Sequence, residues 1–274
     1  MSDTPPPADG SDAPRREPMF AIPPIVVALI AALVALYAIT DFLAPASQNA
    51  VLGAFAFAPG RLTLAIWPGR LAEVLARVGG DPEAFAEAAF FRQYGAAPWT
   101  LLTYAFLHGS WTHVLLNAVW LVAFGPPVAR RFGALRFGAF FALTAIAGAL
   151  AHWLVFPLDF TPLIGASAAD SGLMAAATRF IFEPGGPLGS PPGASPPAGE
   201  AEALRPAPRL FDLLRQRRAL GFIAIWMATN FIFGAGAQAL GASAAPVAWI
   251  AHVGGFVAGL LAFPLFDRAS SQPR

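Results

Sequence analysis

The sequence has no cysteine and no lysine, and only 12% of its residues are charged. Without cysteine, disulfides, thiolate catalysis and cysteine-ligated metals are excluded. Every basic residue other than histidine is arginine, and the net charge is only +1. What fills the chain instead is apolar: 57% hydrophobic residues and a mean hydropathy of +0.59 over 274 residues, well above a soluble domain of this length. The apolar runs are long and continuous. That pattern predicts an all-α membrane protein, since barrel strands would show short alternating segments.

Residues 1–18 are polar and proline-rich, with Asp3, Asp9, Asp12 and Glu17 among them, and read as a disordered tail. The acids and the late apolar run argue against a signal peptide, so Phe20 to Leu43 reads as a retained first membrane helix. From Ala44 to Pro98 the chain is broken by Pro59, Pro68, Gly79, Gly80 and Pro82. Within it, Arg70 to Val78 and Pro82 to Phe91 have the spacing of short amphipathic helices at the membrane interface.

A second membrane helix is expected from Trp111 to the Gly125-Pro126-Pro127 break, and a third over Phe137 to Phe156. The fourth, Ser167 to Phe182, is short for a span of about 20 residues, and the fifth and sixth cover Ala219 to Leu240 and Val247 to Phe266. Residues 19–267 thus read as a six-helix membrane domain interrupted by a flexible Pro/Gly-rich linker at 183–218, with 268–274 as a short tail. Arginine clusters before helix 1, after helix 2, in the linker and at the C-terminus. That asymmetry predicts that both termini are cytoplasmic.

In this orientation three polar clusters share one depth near the extracytoplasmic side. His113 and Asn117 lie four apart on one face of helix 2, Ser167 opens helix 4, and His252 lies early in helix 6. Polar and ionisable side chains at membrane depth are costly and mark a function or a pairing. A serine with a histidine in reach is an activated nucleophile. Asn117, His113 and the backbone N–H groups at the start of helix 4 are the candidates to stabilise an oxyanion. Taken singly, each residue has a plainer reading: a serine among Gly and Ala is more often a packing residue. Asp170 reads as a cap of helix 4 or as a group tuning the serine, and Ser171 as a rival nucleophile. His108 and His152 read as interfacial or structural, and no metal or cofactor is expected.

The stretch W-T-L-L-T-Y-A-F-L-H-G-S-W-T-H-V-L-L-N at Trp99 to Asn117, G-A-S-A at Gly165 to Ala168, and A-H-V-G-G-F-V-A-G at Ala251 to Gly259 together resemble the rhomboid intramembrane serine proteases in order, spacing and helix placement. The resemblance implies a six-helix rhomboid-like bundle and a Ser-His dyad, with Ser167 as nucleophile, His252 as general base, and His113 and Asn117 in the oxyanion site. It also implies single-span membrane proteins as substrates, a lipid bilayer as surroundings and a bacterial inner membrane as location, with no nucleic-acid partner. Two positions depart from the family pattern. Ala168 follows the serine where glycine is usual, and Ala129 stands where an acid is common in G-x-x-x-E. The other readings are a catalytically inactive rhomboid-like protein that binds transmembrane segments as chaperone or adaptor, and a solute carrier, for which no internal repeat is seen.

Overall fold

In a computed structural model, residues 22–183, 188, 207–232 and 248–267 are described. The expected polar tails, most of the linker and the end of the fifth helix lie outside them. Among the described residues, four helices are long and apolar enough to cross a membrane: α1 (Pro24–Asp41), α7 (Trp111–Phe132), α8 (Ala134–Val155) and α11 (Trp249–Phe266), with mean hydropathy between 1.4 and 2.2. Two shorter helices pack with them, α9 (Ser167–Thr178) and α10 (Arg217–Phe231). Among the described residues the only β pairing is an isolated bridge between Phe57 and Leu163.

Helix α9 is the centre. At 12 residues it is about 18 Å long, and every residue from Ala168 to Thr178 is buried. Its small side chains let its neighbours approach backbone to backbone. A Cβ on Gly255 of α11 would collide with the carbonyl oxygen of Ala168, and one on Gly259 would stand 2.5 Å from the carbonyl oxygen of Gly172. On the other side, a Cβ on Gly172 would stand 2.5 Å from Cβ of Thr144 on α8. This is the small-residue packing that membrane helices use where burial of apolar surface gives no net drive between helices. By contrast, α1 packs only one side, presenting Val26, Leu33 and Tyr37 inward and leaving Val27, Leu36 and Ile39 exposed as a lipid-facing surface.

The second membrane helix does not end at Gly125-Pro126-Pro127 but runs on to Phe132. Each proline removes an N–H from the helix ladder. The segment stays helical because Val128, Ala129, Arg131 and Phe132 beyond it are all buried, so tertiary packing outweighs the local loss. It ends instead at Gly133, whose φ of 78° turns the chain directly into α8, a conformation that glycine adopts without a steric penalty.

Arg131 explains much of that packing. Its guanidinium donates to both carboxylate oxygens of Asp267 at 2.9 and 2.8 Å, with both side chains 3% exposed. The same group lies 4.8 Å from the ring centre of Phe180 and 5.4 Å from that of Phe263. Nearby, Arg179 donates to the carbonyl oxygens of Leu260 and Pro208 at 3.1 and 2.7 Å. The expected linker is therefore anchored where it is described: Leu210–Arg215 forms a 3-10 helix with Leu213 buried.

The connection between α1 and α7 carries four helices: α2 (Pro45–Phe55), α3 (Pro59–Ile66), α4 (Leu71–Val78) and α5 (Pro82–Arg92), with a single turn α6 (Thr100–Thr103) before α7. The last two of the four lie where the short helices are expected; α4 is amphipathic, but α5 is not, with Phe85 half-exposed. Buried Arg61 holds the segment together by donating to the carbonyl oxygens of Gly53, Ala56, Gly95 and Tyr94 at 2.9 to 3.4 Å. It satisfies helix-end carbonyls that would otherwise lack donors. The segment then grips the loop between α8 and α9. Phe57 and Leu163 exchange backbone hydrogen bonds, the Gly60 N–H donates to the Asp159 carbonyl at 2.7 Å, and the Thr63 hydroxyl donates to the Pro157 carbonyl.

Asp267→Ala removes the bidentate carboxylate that buried Arg131 donates to and is expected to cost about 3–5 kcal/mol. Thermal unfolding in detergent should show a marked loss of midpoint, while the neighbouring exposed Arg136→Ala stays near wild type.

Candidate active site

The loop after α8 delivers Ser167 to the start of α9 through a strained approach. Gly165 sits at φ 108°, a backbone region that residues with a side chain rarely occupy, and its N–H donates to the Tyr104 carbonyl at 3.0 Å. Tyr104 is fixed in turn by its hydroxyl, which donates to the Ala145 carbonyl of α8 at 2.8 Å. Ser167 thereby becomes the first residue of a helix whose N-terminus has no side-chain cap. Its first-turn N–H groups have no partner within the helix.

Four of the site residues read from the sequence come together. Ser167 Oγ and His252 Nε2 are 2.7 Å apart, although 85 residues separate them. A Cβ on Gly165 would stand 2.5 Å from His113 Nε2 and 3.6 Å from Asn117 Nδ2, so both α7 side chains aim at the backbone two residues before Ser167. Asn117 is 2% exposed and its Nδ2 has no hydrogen-bond partner among the described residues. A buried donor left unpaired is costly. Here it points toward the Gly165 turn just before Ser167. Helix α7 is oriented for this by its own cap, Ser110 Oγ accepting from the His113 N–H at 3.1 Å, and by Trp111, which donates to Asp41 at 3.1 Å and packs edge-on against Tyr37.

Other residues fall out differently. The Ser171 hydroxyl donates to the Ser167 carbonyl at 2.7 Å, which removes it as a rival nucleophile. Asp170 does not cap α9. It is 3% exposed and neither carboxylate oxygen has a hydrogen-bond partner among the described residues. As the fourth helical residue it lies inside the helix, beyond the position from which a side chain reaches back to the first N–H groups. His108 fits the structural reading. It is buried, its ring 5.0 Å from that of His113, and burial, followed by the neighbouring His113, holds its pKa down to about 4, so it is neutral at pH 7. His152 is buried beside Phe156.

The methyl group of Ala168 is directed at α8. A Cβ on Gly148 would stand 2.6 Å from Ala168 Cβ and 2.8 Å from the Ala251 carbonyl oxygen. The bare backbone of Gly148 makes room for the extra methyl.

One site residue has no counterpart in the sequence reading. Asn230 Oδ1, on α10, lies 2.6 Å from His252 Nδ1. The only signal for it in the sequence is that it is the one side-chain amide on an otherwise largely apolar helix. Among the described residues, no group of three or more His, Cys, Asp or Glu has the arrangement to hold a metal.

Comparison with known proteins supplies the remaining context. A family model described as the rhomboid domain matches residues 96–268, more than half of the chain and all of the site. RHOMBOID-like protein 5 of Arabidopsis thaliana is 26% identical over 187 residues, 63% of this chain and 57% of that protein. A candidate rhomboid protease of Bacillus subtilis, YdcA, is 36% identical over 75 residues, 27% of this chain and 37% of that protein. RHOMBOID-like protein 4 of Arabidopsis thaliana is 31% identical over 88 residues, 32% of this chain and 22% of that protein. The matched region spans from about a fifth to just over half of each relative's own length.

The packing around Ala168 predicts an asymmetry. Gly148→Ala should lower stability by overpacking, by about 1–3 kcal/mol. Combining it with Ala168→Gly should recover part of the loss, because the clash with the Ala251 carbonyl remains. Melting curves of the two single variants and the double variant measure the coupling.

Proposed function

The chain belongs to the rhomboid family, an integral membrane protein built as a helical bundle, and from this we propose that it is an intramembrane serine endopeptidase acting through Ser167 and His252. The observation that carries the reading is the 2.7 Å contact between Ser167 Oγ and His252 Nε2. It is supported by an unpaired amide donor on Asn117 beside the same loop.

The chemistry follows from these positions. His252 Nε2 takes the proton of the Ser167 hydroxyl as Oγ attacks the peptide carbonyl carbon. The oxyanion of the tetrahedral intermediate accepts from Asn117 Nδ2–H, from His113 Nε2–H and from the uncapped first-turn N–H groups of α9, whose helix dipole favours negative charge. The C–N bond breaks, and the imidazolium gives its proton to the leaving amine. A water activated by the same histidine then hydrolyses the acyl-enzyme. The base is an imidazole oriented by a neutral group, the Asn230 amide, in place of a carboxylate.

The substrates are single-span membrane proteins, cut where small residues let a helix unwind into the site. The membrane is the bacterial inner membrane. Both termini face the cytoplasm, in line with the arginines gathered near Asp267, and Ser167 opens toward the opposite face. Ala168 is the feature that favours an inactive binding protein. Its methyl is accommodated at Gly148, which weakens that objection to activity.

Labelling of purified protein in liposomes with a fluorophosphonate probe tests this. Label should be present on wild type and on Ser171→Ala, and absent from Ser167→Ala and His252→Ala. Asn117→Ala should lower turnover of a cleaved transmembrane substrate by about 10²–10³-fold, mainly in kcat. A folded wild type that takes no label would favour the inactive binding protein.

A further inference from the structure

The Asn230 contact has a definite direction. Asn230 Nδ2 donates to the Trp226 carbonyl one turn earlier in α10, at 3.0 Å. A carbonyl oxygen only accepts, so this bond identifies the nitrogen of the amide and leaves Oδ1 as the atom facing His252 Nδ1 at 2.6 Å. Oδ1 also only accepts. The proton between them therefore sits on Nδ1, and Nε2, on the far side of the ring, carries the lone pair that faces Ser167 Oγ at 2.7 Å.

We propose that Asn230 is the positioning residue of the site, a neutral third member that holds His252 in the tautomer and ring orientation needed of a base toward Ser167. The proposal rests on the reading of Ser167 and His252 as nucleophile and base. A histidine alone on a helix can turn about its side-chain bonds and exchange tautomers, and only one of the two forms accepts a serine proton. The amide removes that freedom without adding charge to an apolar interior, where an unpaired carboxylate would be costly. Its contribution is orientation and a dipole. It offers no counter-charge to the imidazolium.

The scaffold supports this role. Trp226 and Phe256 stack with ring centres 4.2 Å apart and planes 18° from parallel. They lie four residues from Asn230 and His252 respectively, on the two facing helices. The α10 and α11 segments therefore meet in two consecutive rungs, one aromatic and one polar. The aromatic rung sets the spacing at which an asparagine side chain reaches the ring. It also holds the Trp226 carbonyl that fixes the amide's direction. On its other side α10 is exposed at Ile225 and Met227, and just beyond Asn230 the half-exposed Phe231 meets Trp249 of α11 edge-on, ring centres 6.3 Å apart.

The experiment combines nitrogen-15 NMR of histidine-labelled protein with fluorophosphonate labelling rates. Only four histidines are present, and a His252→Gln sample assigns the signal. In wild type, His252 should show a protonated Nδ1 and a bare Nε2. Asn230→Leu should give a mixture of tautomers and slow labelling by about tenfold or more, within the 10²–10⁴-fold that a positioned base supplies. Asn230→Asp, which keeps an acceptor at the same reach, should retain the wild-type tautomer. A protonated Nε2 in wild type, or an Asn230→Leu protein with unchanged tautomer and labelling rate, would overturn the proposal. If Asn230→Leu fails to fold, the wild-type and Asn230→Asp spectra decide the question alone. The two readings fail separately: absent labelling with a protonated Nδ1 sinks the hydrolase reading and leaves the Asn230 contact standing.

Discussion

The close approach of α9 and α11 is the constraint on which the rest depends. Gly255 passes over the Ala168 carbonyl and Gly259 over that of Gly172 with no room for a side chain. Between lipid-surrounded helices such contact comes from surface fit, because lipid tails are as apolar as the side chains they would replace. That fit places His252, about one turn before Gly255 on the same helix, against the first residue of α9. A looser pair of helices would still fold in a bilayer but would separate serine from imidazole.

Around this contact the protein deals with polar groups in two ways. Those with a structural task are paired: Arg131 with Asp267, Arg61 with four carbonyls, Arg179 with two. Pairing of this kind is required wherever backbone or charge sits at depth without water. The groups at the site are instead left with capacity to spare. Asn117 has a free donor, the start of α9 is uncapped, and Ser167 and His252 are half-buried. The two sets differ, but buried Asp170, His108 and His152 also lack hydrogen-bond partners among the described residues, so an unmet polar group does not by itself mark the site. The loop carrying α2 to α5 links them, since its hold on the α8–α9 connection determines where Gly165 makes its turn.

Much of this was legible in the residues. The four dispersed positions Ser167, His252, His113 and Asn117 could be named because polar side chains stand out in apolar helices. Other features could not be read that way. Pro126 and Pro127 marked a helix end by every local rule, yet burial of the residues beyond them kept the helix intact. Asp170 had the chemistry of a cap but not the position. Asn230 gave no sign of its partner, because its significance lies in a helix 22 residues further along the chain.

The sequence by itself determined the membrane environment, the helical class and the identity of the polar groups that must be satisfied, since composition and apolar run length act locally and leave few alternatives in lipid. Only the tertiary structure decided which of those groups meet. That the Ala168 methyl is absorbed by Gly148 and that Asn230 closes on His252 both depend on how closely helices distant in sequence approach one another. Such distances are set by packing in three dimensions, which no local pattern encodes.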